Sequence, residues 1–102
     1  MARVMVRYKT KPECADENQK LVEAVYEELI RDDPDGLRYA TMRLDDGVTF
    51  VHIAEIDAED GRNPLGDTAA FKRFQEGIAA RCDEPPVAYN GDLVGSFRMF
   101  AD

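Results

Sequence analysis

The sequence predicts an α+β fold in which a four-stranded antiparallel sheet carries two helices on one face. Three observations lead there. Segments that read as short strands occur four times, at residues 3–9, 37–44, 48–56 and 92–100. Two longer segments, from the 10–16 region to about 31 and from about 67 to 82, repeat their apolar residues at helical spacing. Their order is strand, helix, strand, strand, helix, strand, which is the ferredoxin-like β-α-β-β-α-β arrangement. Two helices suffice to cover only one side of such a sheet.

Each element has its own signals. In the first strand Val4, Val6 and Tyr8 alternate with Arg3, Met5, Arg7 and Lys9, giving one strongly apolar face. Thr10 and Glu13 have the spacing of a capping box, and Asp16 is a second candidate cap. The helix that follows presents Leu21, Val22, Val25, Tyr26, Leu29 and Ile30 on one side, with Glu17, Lys20, Glu23, Glu27 and Glu28 opposite. Asp32-Asp33-Pro34-Asp35-Gly36 stops it, because proline cannot continue a helix and glycine permits the turn. The second and third strands are joined at Asp45-Asp46-Gly47 as a hairpin. Residues 57–66 are a polar loop with a turn signal at Asn63-Pro64. The second helix carries Phe71, Phe74, Ile78 and Cys82 on one stripe, and Gly77 within it points to close packing. Asp83-Glu84-Pro85-Pro86 then reads as its stop, with the last strand at 92–100.

Composition bounds the function. The 102 residues suit a single domain, 1–102, and 44% hydrophobic residues can supply its core. A net charge of −8 argues against nucleic acid and anionic membranes, both of which call for a basic surface. No apolar run approaches the roughly 20 residues of a membrane span. The first residues enter a strand directly and lack the apolar core of a signal peptide, so a cytoplasmic location is expected. Cys14 and Cys82 form no CxxC pair and read as free thiols. The acidic runs at 32–33, 45–46 and 57–60 fall at turns and lack the alternation of a calcium loop.

Both sheet faces are rich in apolar groups. The third strand has Phe50, His52, Ala54 and Ile56 on one face, with Val51 and Ile53 on the other. The fourth has Leu93, Phe97 and Met99 against Val94 and Phe100. A sheet with one wet face should alternate cleanly, so a second copy of the chain is expected to cover the outer face, most simply as a two-fold homodimer.

The hairpin decides what shares a face with His52. A two-residue turn at Asp46-Gly47 sets Thr41 opposite His52 and gives a mixed face of Tyr39, Thr41, Arg43, Phe50 and His52. A three-residue turn with left-handed Gly47 sets Ala40 opposite instead. Aspartates before the glycine suit the second turn, which aims His52 at the helices.

At this level of detail the chain resembles the dimeric α+β barrel proteins, especially the antibiotic biosynthesis monooxygenase-like family. The resemblance spans nearly the whole chain. It runs from Val4-Met5-Val6-Arg7-Tyr8 through Lys11-Pro12-Glu13, Asp35-Gly36-Leu37-Arg38-Tyr39 and Phe50-Val51-His52-Ile53-Ala54-Glu55-Ile56 to the phenylalanine-bearing second helix. It implies two subunits packed sheet to sheet, each with a ligand cavity between sheet and helices. It also implies cofactor-independent monooxygenase or isomerase chemistry on a small aromatic or polyketide-like substrate. Members that oxidise aromatic polyketides or open haem commonly carry a tryptophan near the end of the third strand, where this chain has Ile56 or a neighbour. Haem-degrading members also use a histidine on the second helix, and here that helix has none, which argues against haem.

His52, the only histidine, is the candidate acid–base residue, with an ordinary core histidine as the plainer reading. No second histidine or spaced cysteine accompanies it, so no metal site and no cofactor are expected. Tyr8, Phe50 and Phe74 are the candidate ligand contacts, Tyr8 and Tyr26 sharing the helix-facing space. Arg7, Arg38 and Arg43 read as ion-pair partners for the carboxylates, or as anion holders if one turns inward. Two non-catalytic readings stand beside the enzyme: a ligand-binding or sensing module, and a structural dimerisation protein with a filled core and no cavity.

Overall fold

Strand β1 (Ala2–Thr10) lies inside a four-stranded antiparallel sheet of order β2-β3-β1-β4, flanked by β3 (Thr49–Ile56) and β4 (Cys82–Asn90), with β2 (Leu37–Arg43) on the far side of β3. The computed structural model describes residues 2–57 and 62–99. The order confirms the ferredoxin-like arrangement. Expectations at Phe100 and at residues 58–60 of the acidic run lie outside the described residues.

A 3₁₀ turn, Pro12–Cys14, leads into α1 (Ala15–Asp32). The capping box does not form. Thr10 stays in β1, where its hydroxyl donates to Val48 O at 3.3 Å, and the helix starts at Cys14 without a side-chain cap. At the other end Asp33 takes a left-handed conformation (φ 45°) and its N–H donates to Leu29 O, the stop expected from the Asp-Pro-Asp-Gly run. Val22 and Val25 of the apolar stripe are buried, but Ile30 at its end is largely exposed.

The second helix is shorter than expected. It runs as α2 (Ala69–Glu76), breaks at Gly77, and continues as the single turn α3 (Ile78–Arg81). Thr68 caps α2 by accepting from Phe71 N at 3.1 Å. Glu28 of α1 takes two more of its first amides, Ala69 N at 3.0 Å and Ala70 N at 2.9 Å, and so clamps the two helices together.

The last strand is misplaced in the sequence reading. It occupies Cys82–Asn90 rather than 92–100, so the two prolines read as a stop lie within it. Proline is tolerated there because β4 is an edge strand, and the register against β1 shifts between Arg7 and Lys9, opposite the proline pair. Residues 91–99 form no strand, and Val94, Phe97 and Met99 are exposed.

The hairpin also resolves against the favoured turn. Thr41 stands opposite His52, the register of the two-residue turn. Gly47 is left-handed (φ 79°), yet no bulge intervenes, because the Asp46 carboxylate accepts from Val48 N at 3.0 Å and Thr49 N at 2.8 Å. The Thr49 hydroxyl, which donates to the same carboxylate, and then these two amides hold that carboxyl near a pKa of about 2. His52 nonetheless faces the helices, where Tyr8, Val22, Val25, Phe50, Leu65, Ala70 and Phe74 form the core. On the outer face Glu55 is 3% exposed and receives Arg3 Nε at 2.9 Å, with Arg38 Nε at 3.8 Å. No helix among the described residues is long and apolar enough to cross a membrane.

Candidate functional site

β1 and β3 are paired so that Tyr8 stands opposite Phe50 and Val6 opposite His52, which brings three of the four candidate residues onto neighbouring strands. Phe74 descends from α2 to meet them. Ring centroids lie 5.5 Å apart for Tyr8 and Phe50, 5.3 Å for Tyr8 and His52, and 5.6 Å for His52 and Phe74. All four side chains are buried.

A cavity of about 350 Å³ opens beside them, between the sheet and α2. Tyr8, Tyr39 and His52 form one polar wall and Asn63 and Gln75 add amide groups, while Val6, Ala54, Phe71 and Phe74 supply apolar surface. Phe50 does not line it; its ring lies behind Tyr8, nearly parallel to it. None of the described lining residues is an Asp, Glu, Lys or Arg.

His52 has no ring nitrogen to spare. Its Nε2 meets the Tyr8 hydroxyl at 2.8 Å, and its Nδ1 meets the Tyr39 hydroxyl at 2.5 Å and Thr41 Oγ1 at 3.1 Å. Burial pushes its pKa down to about 4, because the imidazolium would lose its hydration with no carboxylate beside it. The same burial pushes the Tyr8, Tyr39 and Tyr26 phenols up, so all three stay protonated across neutral pH.

The hydrogen bonds continue in both directions. Asn18 Nδ2 donates to the Tyr8 hydroxyl at 2.8 Å, and Arg81 Nε donates to Asn18 Oδ1 at 3.1 Å. Beyond His52, Thr41 Oγ1 pairs with the Tyr26 hydroxyl at 2.7 Å. The result is one buried chain, Arg81–Asn18–Tyr8–His52–Tyr39/Thr41–Tyr26, and among the described residues no buried side-chain polar atom lacks a partner.

Asn18, Tyr39, Thr41 and Arg81 are the members that sequence reasoning missed as site residues. Asn18 did leave a signal: it sits four residues before Val22 and seven before Val25, a polar residue on the buried stripe of α1. The strand arginines are all paired, Arg7 with Glu84 at 3.9 Å, Arg38 with Glu55, and Arg43 with Asp16 at 3.0 Å. Cys14 and Cys82 are free thiols. Among the described residues no three His, Cys, Asp or Glu side chains gather as metal ligands.

No family profile matches the chain, and no curated protein matches its sequence. Solved structures do. A crystal structure of an antibiotic biosynthesis monooxygenase superposes with a TM-score of 0.74 at 24% identity, covering 93% of this chain and 100% of its own. A Caulobacter crescentus protein assigned provisionally to the same monooxygenases gives 0.70 at 23%, covering 92% of this chain and 90% of its own. A Nitrosomonas europaea protein so assigned gives 0.74 at 16%, with 91% and 89% covered. The fold of this chain is therefore the ferredoxin-like fold of the antibiotic biosynthesis monooxygenase structures.

Proposed function

We propose that the protein binds a small, neutral, flat aromatic molecule in the cavity between its sheet and α2. The observation that carries this is the cavity itself: about 350 Å³, largely apolar, with hydroxyl and imidazole groups on one wall. That volume falls within the range of small-molecule sites and is more than a dimerisation scaffold with a filled core would leave. The lack of charge in the described lining favours a neutral ligand over an aromatic acid. A thermal-shift screen of quinones, phenols and aromatic acids tests it. Stabilisation by the neutral compounds and not by the acids is the expected result; no stabilisation by any of them would refute it.

The names of the structural neighbours support monooxygenase activity; that it needs no cofactor and acts on a small aromatic or polyketide-like substrate is what the family resemblance implies. Direct proton abstraction by His52 fits less well. Moving a proton from a phenol of pKa about 10 to a base of pKa about 4 is uphill by about 8 kcal/mol before any barrier is added. Binding is accordingly the primary reading, and His52 serves it as a wall residue rather than as the base. An oxygen-uptake assay on any ligand found in the screen separates enzyme from sensor.

The working unit we propose is a homodimer through the outer sheet face. Met5, Met42, Val87 and Tyr89 are 39–62% exposed on that face, and the apolar residues Val94, Phe97 and Met99 beyond β4 are largely exposed. An apolar surface of this kind drives association. Sedimentation equilibrium at micromolar concentration should give twice the chain mass; a monodisperse monomer would reject the dimer.

A further inference from the structure

We infer that Tyr39 is the residue that meets the ligand, presenting its hydroxyl proton to a neutral carbonyl acceptor, and that Arg81 and Asn18 set this polarity through Tyr8 and His52. The inference rests on the cavity reading above and adds a donor, a direction and a ligand class to it.

An arginine only donates, so Arg81 Nε–H fixes which end of the Asn18 amide is the oxygen. Asn18 must then offer its NH₂ to the Tyr8 oxygen, as the 2.8 Å contact has it. Tyr8 is 1% exposed, and its own proton has one acceptor in reach, His52 Nε2. If Nε2 carried a hydrogen instead, the Tyr8 O–H would be buried with nothing to accept it. With Tyr8 this deeply buried and no other protein acceptor in reach, that arrangement is disfavoured. The single imidazole proton therefore resides on Nδ1.

From Nδ1 the proton points at the Tyr39 oxygen, the nearer of its two partners, with Thr41 Oγ1 farther away. Tyr39 thus receives a hydrogen bond from within and does not need to donate back to the histidine. Inside the protein its alternative acceptor is Thr41 Oγ1, which also bonds Tyr26 and lies within reach of Nδ1, so a ligand carbonyl takes the Tyr39 proton in place of that contact. Tyr39 is on the cavity wall. A hydroxyl that accepts a hydrogen bond is a stronger donor in turn, because hydrogen bonds in a chain polarise one another. Apart from Tyr8, His52 and the Asn63 and Gln75 amides the described lining is apolar, and it offers this donor no charged competitor. Its complement is a ligand with an apolar ring and one carbonyl oxygen.

Because His52 is the only histidine, the imidazole ¹⁵N signals of uniformly labelled protein belong to it alone. The wild-type spectrum should show the Nδ1–H tautomer at neutral pH; the Nε2–H tautomer would overturn the inference while leaving the cavity reading intact. In Asn18→Asp the carboxylate can only accept, so Tyr8 must donate to it and accept from His52, and the tautomer should switch to Nε2–H. A folded Asn18→Asp protein that keeps Nδ1–H would equally overturn it. Binding supplies the second arm, with 1-tetralone and tetralin as probes that differ by one carbonyl. Tyr39→Phe should weaken 1-tetralone about tenfold, the loss of one net hydrogen bond, and leave tetralin unchanged. Equal effects on both probes, or none on either, would remove Tyr39 as the donor. Failure of both probes to bind wild-type protein would instead remove the cavity reading on which the inference stands.

Discussion

Arg81 Nε donates to Asn18 Oδ1 at 3.1 Å across 63 positions of sequence, joining the last helical turn before β4 to the first turns of α1 beneath Tyr8. The same guanidinium donates through Nη2 to Phe74 O at 2.6 Å and lies 5.4 Å from the centre of the Phe74 ring. One buried cation thus supports both the polar chain and the aromatic wall of the cavity.

Removing it should be costly. Arg81→Ala leaves Asn18 Oδ1 and Phe74 O without their donors in a buried setting, at about 1–3 kcal/mol for each group left unsatisfied. We expect a total loss of about 2–4 kcal/mol in urea unfolding, with Arg81→Lys recovering part of it. A loss within about 0.5 kcal/mol, the range of ordinary surface substitutions, would show that water replaces the guanidinium without penalty.

Gly77 tests the same contact from the other side. A Cβ built there meets Arg81 Nη1 at 2.9 Å, too close to stand unless the guanidinium moves. Two hydrogen bonds resist that movement, so Gly77→Ala should destabilise by about 1 kcal/mol despite alanine's better helix propensity. In an Arg81→Ala background the clash is gone, and the same substitution should become stabilising by a few tenths to about 1 kcal/mol. Additive effects in the double-mutant cycle would contradict this account.

Histidine 52 gives the fold a defined response to acid. Unfolded, its imidazole takes a proton near the ordinary value of about 6.5; folded, only near about 4. Between those values the unfolded chain binds more protons, so stability falls as pH drops through this window and levels off below it. The shift corresponds to a contribution on the order of 3 kcal/mol. Urea unfolding at about pH 7 and about pH 5 should show part of this loss in wild type and little in His52→Gln, in a range where most carboxylates remain ionised. Equal slopes in the two proteins would argue against it.

On the outer face, Met42→Lys with Val87→Lys places two charges among exposed apolar groups of the sheet. If a second copy covers this face, burying those charges should weaken the dimer at least tenfold, while a monomer's unfolding would hardly change. Sedimentation equilibrium and urea unfolding on the same sample distinguish the two.

What the sequence by itself determined is the order of elements, the inward faces of β1, β3 and the helices, and the grouping of Tyr8, Phe50, His52 and Phe74. These follow from periodicity and strand alternation, which are local properties of the chain. Tertiary structure decided the rest. The proline pair reads as a stop until β4 is known to lie at the sheet edge, where a missing N–H costs little. The hairpin register turned on the Asp46 carboxylate binding two amides, a contact that turn statistics do not weigh. His52 looked like a lone histidine in an apolar strand. It is instead the middle of a hydrogen-bonded chain whose ends, Arg81 and Tyr26, come from different helices. Such a chain is invisible in sequence because its members are adjacent only after the sheet and both helices have closed over them. Each hydroxyl and amide then takes its direction from a neighbour that only the fold supplies.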